Sequence, residues 1–325
     1  MPFILLKMRS RASAIGAVRQ NSVLSGGRGF FCLLALWIGT MSCSSAVVAP
    51  QQQDQVPPAK ILPVLLLPTN ITDIAGEKIE YADLRVAKPR ATLIFENGLM
   101  LDLKTWQGVA QGLNNCCNLL FYNRPGVGRS ESEQDQLSPE LSAARLQQLI
   151  QQQKLSPPYV LIGHSLGGQY AQVFTKTYPQ QVNALLLVDA LPLGLVKPVT
   201  EFPWYTRAGL WAFASKATRQ EIANIDRMGH YLLQDPASFS KPMIRLVTQT
   251  AAPQPKSAGL IKNLWNGVIY AEDFGVWALD PEAAEHRMSN VYPQAEVRTI
   301  VADHRVQEQI PGVVVDAIFS LIQQD

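Results

Sequence analysis

The sequence predicts an α/β fold: a mostly parallel central sheet flanked by helices, with a helical cap inserted into it. Three observations carry that reading. Short runs of apolar and β-branched residues recur along the chain, each closed by a turn signal. Stretches with helical spacing lie between them, and this alternation belongs to a parallel sheet buried on both faces. One long interval, about residues 193–262, breaks the rhythm and is rich in Trp, Tyr, Pro and Met, as a cap over one sheet edge would be.

The elements follow in order. Residues 61–67 and 78–86 are expected to form an antiparallel start to the sheet. Residues 91–95 (ATLIF) make the next strand, bounded by Pro89 and by Asn97-Gly98. Residues 118–122 (NLLFY) run into Asn123-Arg124-Pro125-Gly126, and residues 159–162 (YVLI) into Gly163. Residues 184–188 (ALLLV) stop at Asp189, and residues 296–301 (EVRTIV) near Asp303. Residues 138–153 open with Ser-Pro, a helix start signal, and carry apolar positions at helical spacing. Residues 168–178 and 311–323 also fit helices. No repeat at solenoid periods is present.

Composition narrows the function. The 325 residues are 47% apolar and 17% charged, enough for a core and too apolar for a disordered chain. Net charge is +2, but residues 1–46 hold five basic groups (Lys7, Arg9, Arg11, Arg19 and Arg28) and no acid, so the body is mildly acidic. It has no basic run, and nucleic acid is not an expected partner. The four cysteines form neither a disulfide scaffold nor a metal-ligand pattern. Adjacent Cys116 and Cys117 are read as two small buried apolar side chains entering a strand.

Residues 1–46 read as a targeting segment. A basic stretch leads to the apolar run 30–41 (FFCLLALWIGTM) and then to small residues, the order of a secretory signal. That run is shorter than the roughly 20 residues a membrane-spanning helix needs. Cleavage after Ala46 or Ala49 fits, and TMSC at 40–43 resembles a bacterial lipoprotein box with Cys43 as the lipid site. The expected localisation is therefore exported and bacterial in type: periplasmic, extracellular or lipid-anchored, with any membrane attachment confined to the N-terminus. Residues 47–59 are a polar linker, and residues 60–325 form the folded domain.

The sharpest motif is YVLIGHSLGGQYAQ at 159–172. A buried strand enters Gly163-His164-Ser165-Leu166-Gly167 and a helix leaves it, which is G-x-S-x-G in the strand–turn–helix setting its mechanics demand. The tight turn lifts the Ser165 hydroxyl above the sheet edge, and the helix N-terminus beneath it offers backbone N–H groups to a developing oxyanion. Side chains at Gly163 and Gly167 would collide with the neighbouring strand and helix.

With that motif the chain resembles the α/β-hydrolase fold family, its serine esterases and lipases in particular, over about residues 75–192 and 265–325. Glu96-Asn97-Gly98-Leu99 stands where the family often has His-Gly and then the oxyanion-hole residue, so the resemblance implies backbone donors from Leu99 and Leu166. Asn123-Arg124-Pro125-Gly126-Val127-Gly128-Arg129-Ser130 is similar to the family's D-x-x-G-x-G-x-S turn, with Asn123 in place of the acid, and it implies a brace for the loops. His304 follows the last expected strand, where the family places its general base. Of the other histidines, His164 sits in the elbow with its side chain expected to point away from the nucleophile. His230 lies in the cap and His286 on a charged helix. The triad acid is left between two positions: Asp189, ending strand 184–188, and Asp273, ending residues 267–273 (GVIYAED). Glu272 and Asp280 are further candidates.

The resemblance implies acyl transfer by Ser165 and His304, with no metal or organic cofactor. The mildly acidic body and the aromatic-rich cap (Trp204, Tyr205, Trp211, Phe213) favour a small-molecule substrate that is neutral and partly apolar, most simply a carboxylic ester. Hydrolysis of a thioester, lactone, amide or C–C bond on the same triad is an alternative, as is cofactor-free peroxidation. Epoxide and haloalkane hydrolases place an Asp where Ser165 stands, and a non-catalytic binding protein is the alternative from another class.

Overall fold

The computed structural model describes residues 66–113, 115–131, 137–234, 241–249 and 274–323. The expected targeting segment, the expected linker and Cys43 lie outside them. The strands are β1 (Asn70–Ile74), β2 (Glu77–Leu84), β3 (Thr92–Glu96), β4 (Asn118–Tyr122), β5 (Tyr159–His164), β6 (Val182–Val188), β7 (Met243–Gln249) and β8 (Glu296–Val301). They form one sheet in the order β1-β2-β4-β3-β5-β6-β7-β8. β2 pairs antiparallel with β1 and β4, and every later pairing is parallel.

Each central strand is buried on both faces, which is why it reads as an unbroken apolar run. In β3, Ile94 packs with Leu161, Leu185 and Phe174 on one side, while Leu93 and Phe95 pack with Trp106 and Ile318 on the other. The described helices are α1 (Gln107–Gly112), α2 (Pro139–Gln152), α3 (Leu166–Thr177), α4 (Trp204–Phe213), α5 (Lys216–Leu233), α6 (Pro281–Val291), α7 (Val306–Gln309) and α8 (Pro311–Ile322). α2, α3 and α5 supply residues to the first face, and α1 and α8 to the second. α2 begins where Ser-Pro predicts: the Ser138 hydroxyl accepts from Leu141 N–H at 3.1 Å and Pro139 takes the first turn.

Three expectations are corrected. The first described strand is Asn70–Ile74; of the expected strand at 61–67 only Leu66 and Leu67 are described, and they lie outside any strand. β1 is largely exposed and polar, with only Ile74 buried, so no apolar run marks it. Ala75 and Gly76, at φ +54° and +83°, close the hairpin to β2 with the two left-handed residues such a turn requires. The cap expected over 193–262 is interrupted by β7, because Met243, Ile244 and Leu246 are buried beside β6 and β8. Arg245 breaks the apolar run in sequence, and its guanidinium is neutralised by Glu285 of α6. Cys116 and Cys117 are joined in a disulfide just before β4, where Asn115 at φ +70° turns the chain. The expected strand at 267–273 lies outside the described residues.

Candidate active site

Ser165 joins β5 to α3 at φ +52°, ψ −122°, a backbone conformation that non-glycine residues rarely hold. The glycines around it show what holds the turn. A methyl group on Gly163 would lie 2.5 Å from the Gly167 carbonyl oxygen, and one on Gly167 would lie 2.3 Å from the Glu96 carbonyl oxygen and 2.4 Å from that of Asn97. The turn is pressed against the loop after β3, with no room for a side chain between them. Gly167→Ala should cost about 2–3 kcal/mol through this backbone clash, read as a lowered midpoint in urea unfolding.

The loop from β8 to α7 carries His304. Its Nε2 lies 2.8 Å from Ser165 Oγ, and its Nδ1 lies 2.5 Å from Asp189 Oδ2. Asp189 directly follows β6 at φ +42°, and its other oxygen, Oδ1, accepts from Thr248 N–H (3.1 Å) and Thr248 Oγ1–H (2.9 Å). Burial pushes the Asp189 carboxyl up, but the bonds from His304 and Thr248 outweigh it and hold it below the ordinary aspartate value. It is therefore an anion at neutral pH, aimed along the imidazole toward the serine.

The structure thus brings Ser165, His304 and Asp189 into one hydrogen-bonded line. Asp273 and Glu272 lie outside the described residues, and Asp280 caps α6 by accepting from Ala283 N–H at 2.9 Å. Leu99 lies on the loop after β3, half-buried. Leu166 opens α3, where the first N–H groups have no partner within the helix. His230 and His286 are exposed on α5 and α6. Among the described residues no group of His, Cys, Asp and Glu could hold a metal ion.

Sequence reasoning missed three residues here. Thr248 carries no motif, and only the pairing of β7 beside β6 puts it against Asp189. His164 supports the site through the backbone: its Nε2–H donates to the carbonyl of His304 at 2.7 Å. Burial and the neighbouring His304 push its pKa down to about 3, so it stays neutral, with the proton on the nitrogen that supports the His304 loop. Its Nδ1 is buried without a partner.

The third is Arg124, one residue into the turn after β4. It is buried between two carboxylates, with Nε 2.5 Å from Glu221 Oε1 on α5 and Nη1 3.2 Å from Glu96 Oε2. The guanidinium lies 4.4 Å from the Tyr170 ring centre, and Tyr122 donates its hydroxyl proton to Glu96. Burial raises the Glu96 pKa to about 7 despite Arg124, and Glu221 adds to the rise. The proton held by folded Glu96 but not by the unfolded chain stabilises the fold fully below about pH 4.5. That contribution is lost as pH rises through about 7. Glu96→Gln should remove this fall, so the variant's urea stability between pH 5 and 8 drops less with pH than that of the unmodified protein.

Asn97 and Asn123 stand where the family pattern has His and Asp, and both are fully engaged. Asn97 donates to the Tyr122 carbonyl (2.7 Å) and accepts from Trp106 Nε1–H (2.8 Å). Asn123 accepts from Leu103 N–H (2.7 Å) and donates to Glu80 on β2 (3.0 Å) and to Asp102 (3.3 Å), so the carboxylates of this brace come from its neighbours.

Comparison with known proteins agrees with the fold. A family model described as alpha/beta hydrolase fold matches residues 91–276. Human monoacylglycerol lipase ABHD6 is 32% identical over 108 residues, which is 33% of this chain and 32% of that protein. A Saccharomyces cerevisiae protein named as an uncharacterized vacuolar membrane protein is 30% identical over 112 residues, covering 33% of this chain and 17% of its own length. The chain thus spans a third or less of these relatives. Among solved structures, the thioesterase domain from the curacin biosynthetic pathway superposes with a TM-score of 0.55 at 13% identity, covering 78% of this chain and all of that one. The relatives overturn the expectation of a bacterial-type exported protein, because the likeness runs into eukaryotes and to a protein of the yeast vacuolar membrane. The reason is physical: a basic, apolar, small-residue order reports how hydrophobic an N-terminus is, not which membrane system it meets. No helix among the described residues is long and apolar enough to cross a membrane.

Proposed function

The chain belongs to the α/β-hydrolase fold family, and from that premise we propose that it is a serine hydrolase cleaving a carboxylic ester by acyl transfer. The observation that carries this reading is the hydrogen-bonded line from Ser165 through His304 to Asp189. A serine hydroxyl is a poor nucleophile near neutral pH, and a neutral imidazole at 2.8 Å can take its proton as the carbonyl carbon is attacked. Asp189 holds the imidazole in the tautomer with Nδ1–H and stabilises the imidazolium that forms. The N–H groups of Leu99 and Leu166 receive the oxyanion. His304 then protonates the leaving alcohol and activates the water that frees the acid. None of these steps calls on a metal or an organic cofactor.

The substrate class is a small, neutral, partly apolar ester. The mildly acidic body disfavours anions, and α4 offers an apolar cap surface with Trp204 and Trp211. The name of the human relative, a monoacylglycerol lipase, points the same way over the matched third of the chain. The test is turnover of p-nitrophenyl esters from acetate to palmitate, with a matched thioester alongside. Ester turnover within a window of chain lengths, faster than on the thioester, is the expected result. Folded protein with no turnover on any ester would contradict the proposal, and faster thioester turnover would change the bond it acts on.

A further inference from the structure

We propose that Arg124 is a positioning residue that orients and polarises the Leu99 peptide of the oxyanion hole; the inference rests on the serine-hydrolase reading above. The guanidinium grips the backbone of the loop after β3. Its Nη1 donates to the Asn97 carbonyl at 2.7 Å and its Nη2 to the Gly98 carbonyl at 3.1 Å. The Gly98 carbonyl and the Leu99 N–H belong to one peptide unit, so in a trans peptide they point in opposite directions. Holding the oxygen with a buried cation therefore fixes the direction of the N–H, away from Arg124. Leu101 N–H also reaches the Gly98 oxygen, at 3.2 Å, but as a neutral donor within the same loop.

Two physical effects follow from the charge. A hydrogen bond from an ionised donor is roughly twice as strong as a neutral one. A peptide polarised at its oxygen also becomes a better donor at its nitrogen, because chained hydrogen bonds strengthen one another. The Leu99 N–H is thus set and strengthened before any substrate arrives, which is the preorganisation an oxyanion site needs.

The surroundings suit this task. Gly167 packs directly on the Glu96 and Asn97 carbonyls, which sets the loop beside the elbow that carries Leu166. Arg124 itself is held by Glu96 from the sheet, by Glu221 from α5 and by the face of Tyr170 from α3. Two carbonyls and two carboxylates on one side chain need the planar fork of an arginine. A lysine ammonium has three donors from one atom and cannot span them.

The experiment compares Arg124→Lys with Arg145→Lys. Arg145, in the middle of α2, is a second buried arginine, paired with Glu77 at the start of β2, and it serves as a stability control. Each variant is measured for melting temperature, for kcat and KM on the best p-nitrophenyl ester, and for inhibition by an alkyl trifluoromethyl ketone, which forms the oxyanion adduct. Arg124→Lys should lower kcat about 10- to 100-fold with KM within about threefold, short of the 10²–10³ of a deleted donor. Its affinity for the ketone should fall by the same factor as kcat/KM. Arg145→Lys should lose melting temperature without losing kcat. Folded Arg124→Lys with unchanged kcat would overturn the proposal, as would an equal loss of kcat in Arg145→Lys at equal melting temperature. A Ser165→Ala control separates the two readings. Turnover that survives it overturns the hydrolase reading and this one together, whereas turnover lost there but kept in Arg124→Lys overturns only the role of Arg124.

Discussion

Ser165→Ala is expected to lower kcat on the best ester about a millionfold while the protein keeps its fold. The size follows from the arrangement: the nucleophile and its base act as one unit, and removing either leaves only what binding and the oxyanion donors provide. The fold should survive because the turn is held by glycine contacts and by backbone bonds, not by the hydroxyl. Ser165 N–H donates to the Val188 carbonyl at 3.1 Å, and the Ser165 carbonyl accepts from Gly168 and Leu191 at 2.9 and 3.0 Å. Alanine keeps all three. The check is steady-state kinetics beside a thermal melt: a melting temperature within a few degrees, with turnover at background, is the expected pair.

Asp189→Asn should cost about 10⁴-fold in kcat, and the structure explains why the amide cannot simply substitute. Thr248 N–H is a donor only, so the asparagine oxygen must stay on it, where Asp189 Oδ1 now accepts at 3.1 Å. The amide nitrogen then falls against His304 Nδ1 and donates to it. That forces the imidazole proton onto Nε2, the atom facing Ser165 Oγ, and the base is switched off with its geometry intact. Asp273→Asn should leave kcat within about threefold, because Asp189 already holds the imidazole. Rates for both variants at matched fold content check this, and a large loss in Asp273→Asn with little in Asp189→Asn would reverse the assignment.

The central sheet was readable because both faces of each inner strand are buried, so burial writes itself as an apolar run. Asn118–Tyr122 coincides with its expected bounds; Glu296–Val301 does too, although this edge strand has no buried residue. What escaped reading has the opposite character. β1 is polar and exposed, and its hairpin rests on Ala75 at a positive φ, a residue that gives no turn signal. β7 is crossed by an arginine whose partner lies 40 residues away on α6, and no local pattern can supply that partner.

The site divides along the same line. Ser165 and His304 were legible because an elbow and a histidine after the last strand are local features. The choice of acid was not local: Asp189 and Asp273 each end an apolar run, and only the placement of β7 and its Thr248 brings Asp189 into register with His304. Arg124 lies within a motif whose resemblance implies only a brace. Its bond to the Gly98 carbonyl joins it to a loop 26 residues earlier in the chain, which only folding brings to it.

The most direct measurement is labelling of the folded protein with a fluorophosphonate, followed by peptide mapping of the modified residue. The account predicts stoichiometric modification of Ser165, abolished in His304→Ala. Folded protein that takes no label, or that takes it at another residue while Ser165 stays free, would contradict the claim that Ser165 is an activated nucleophile.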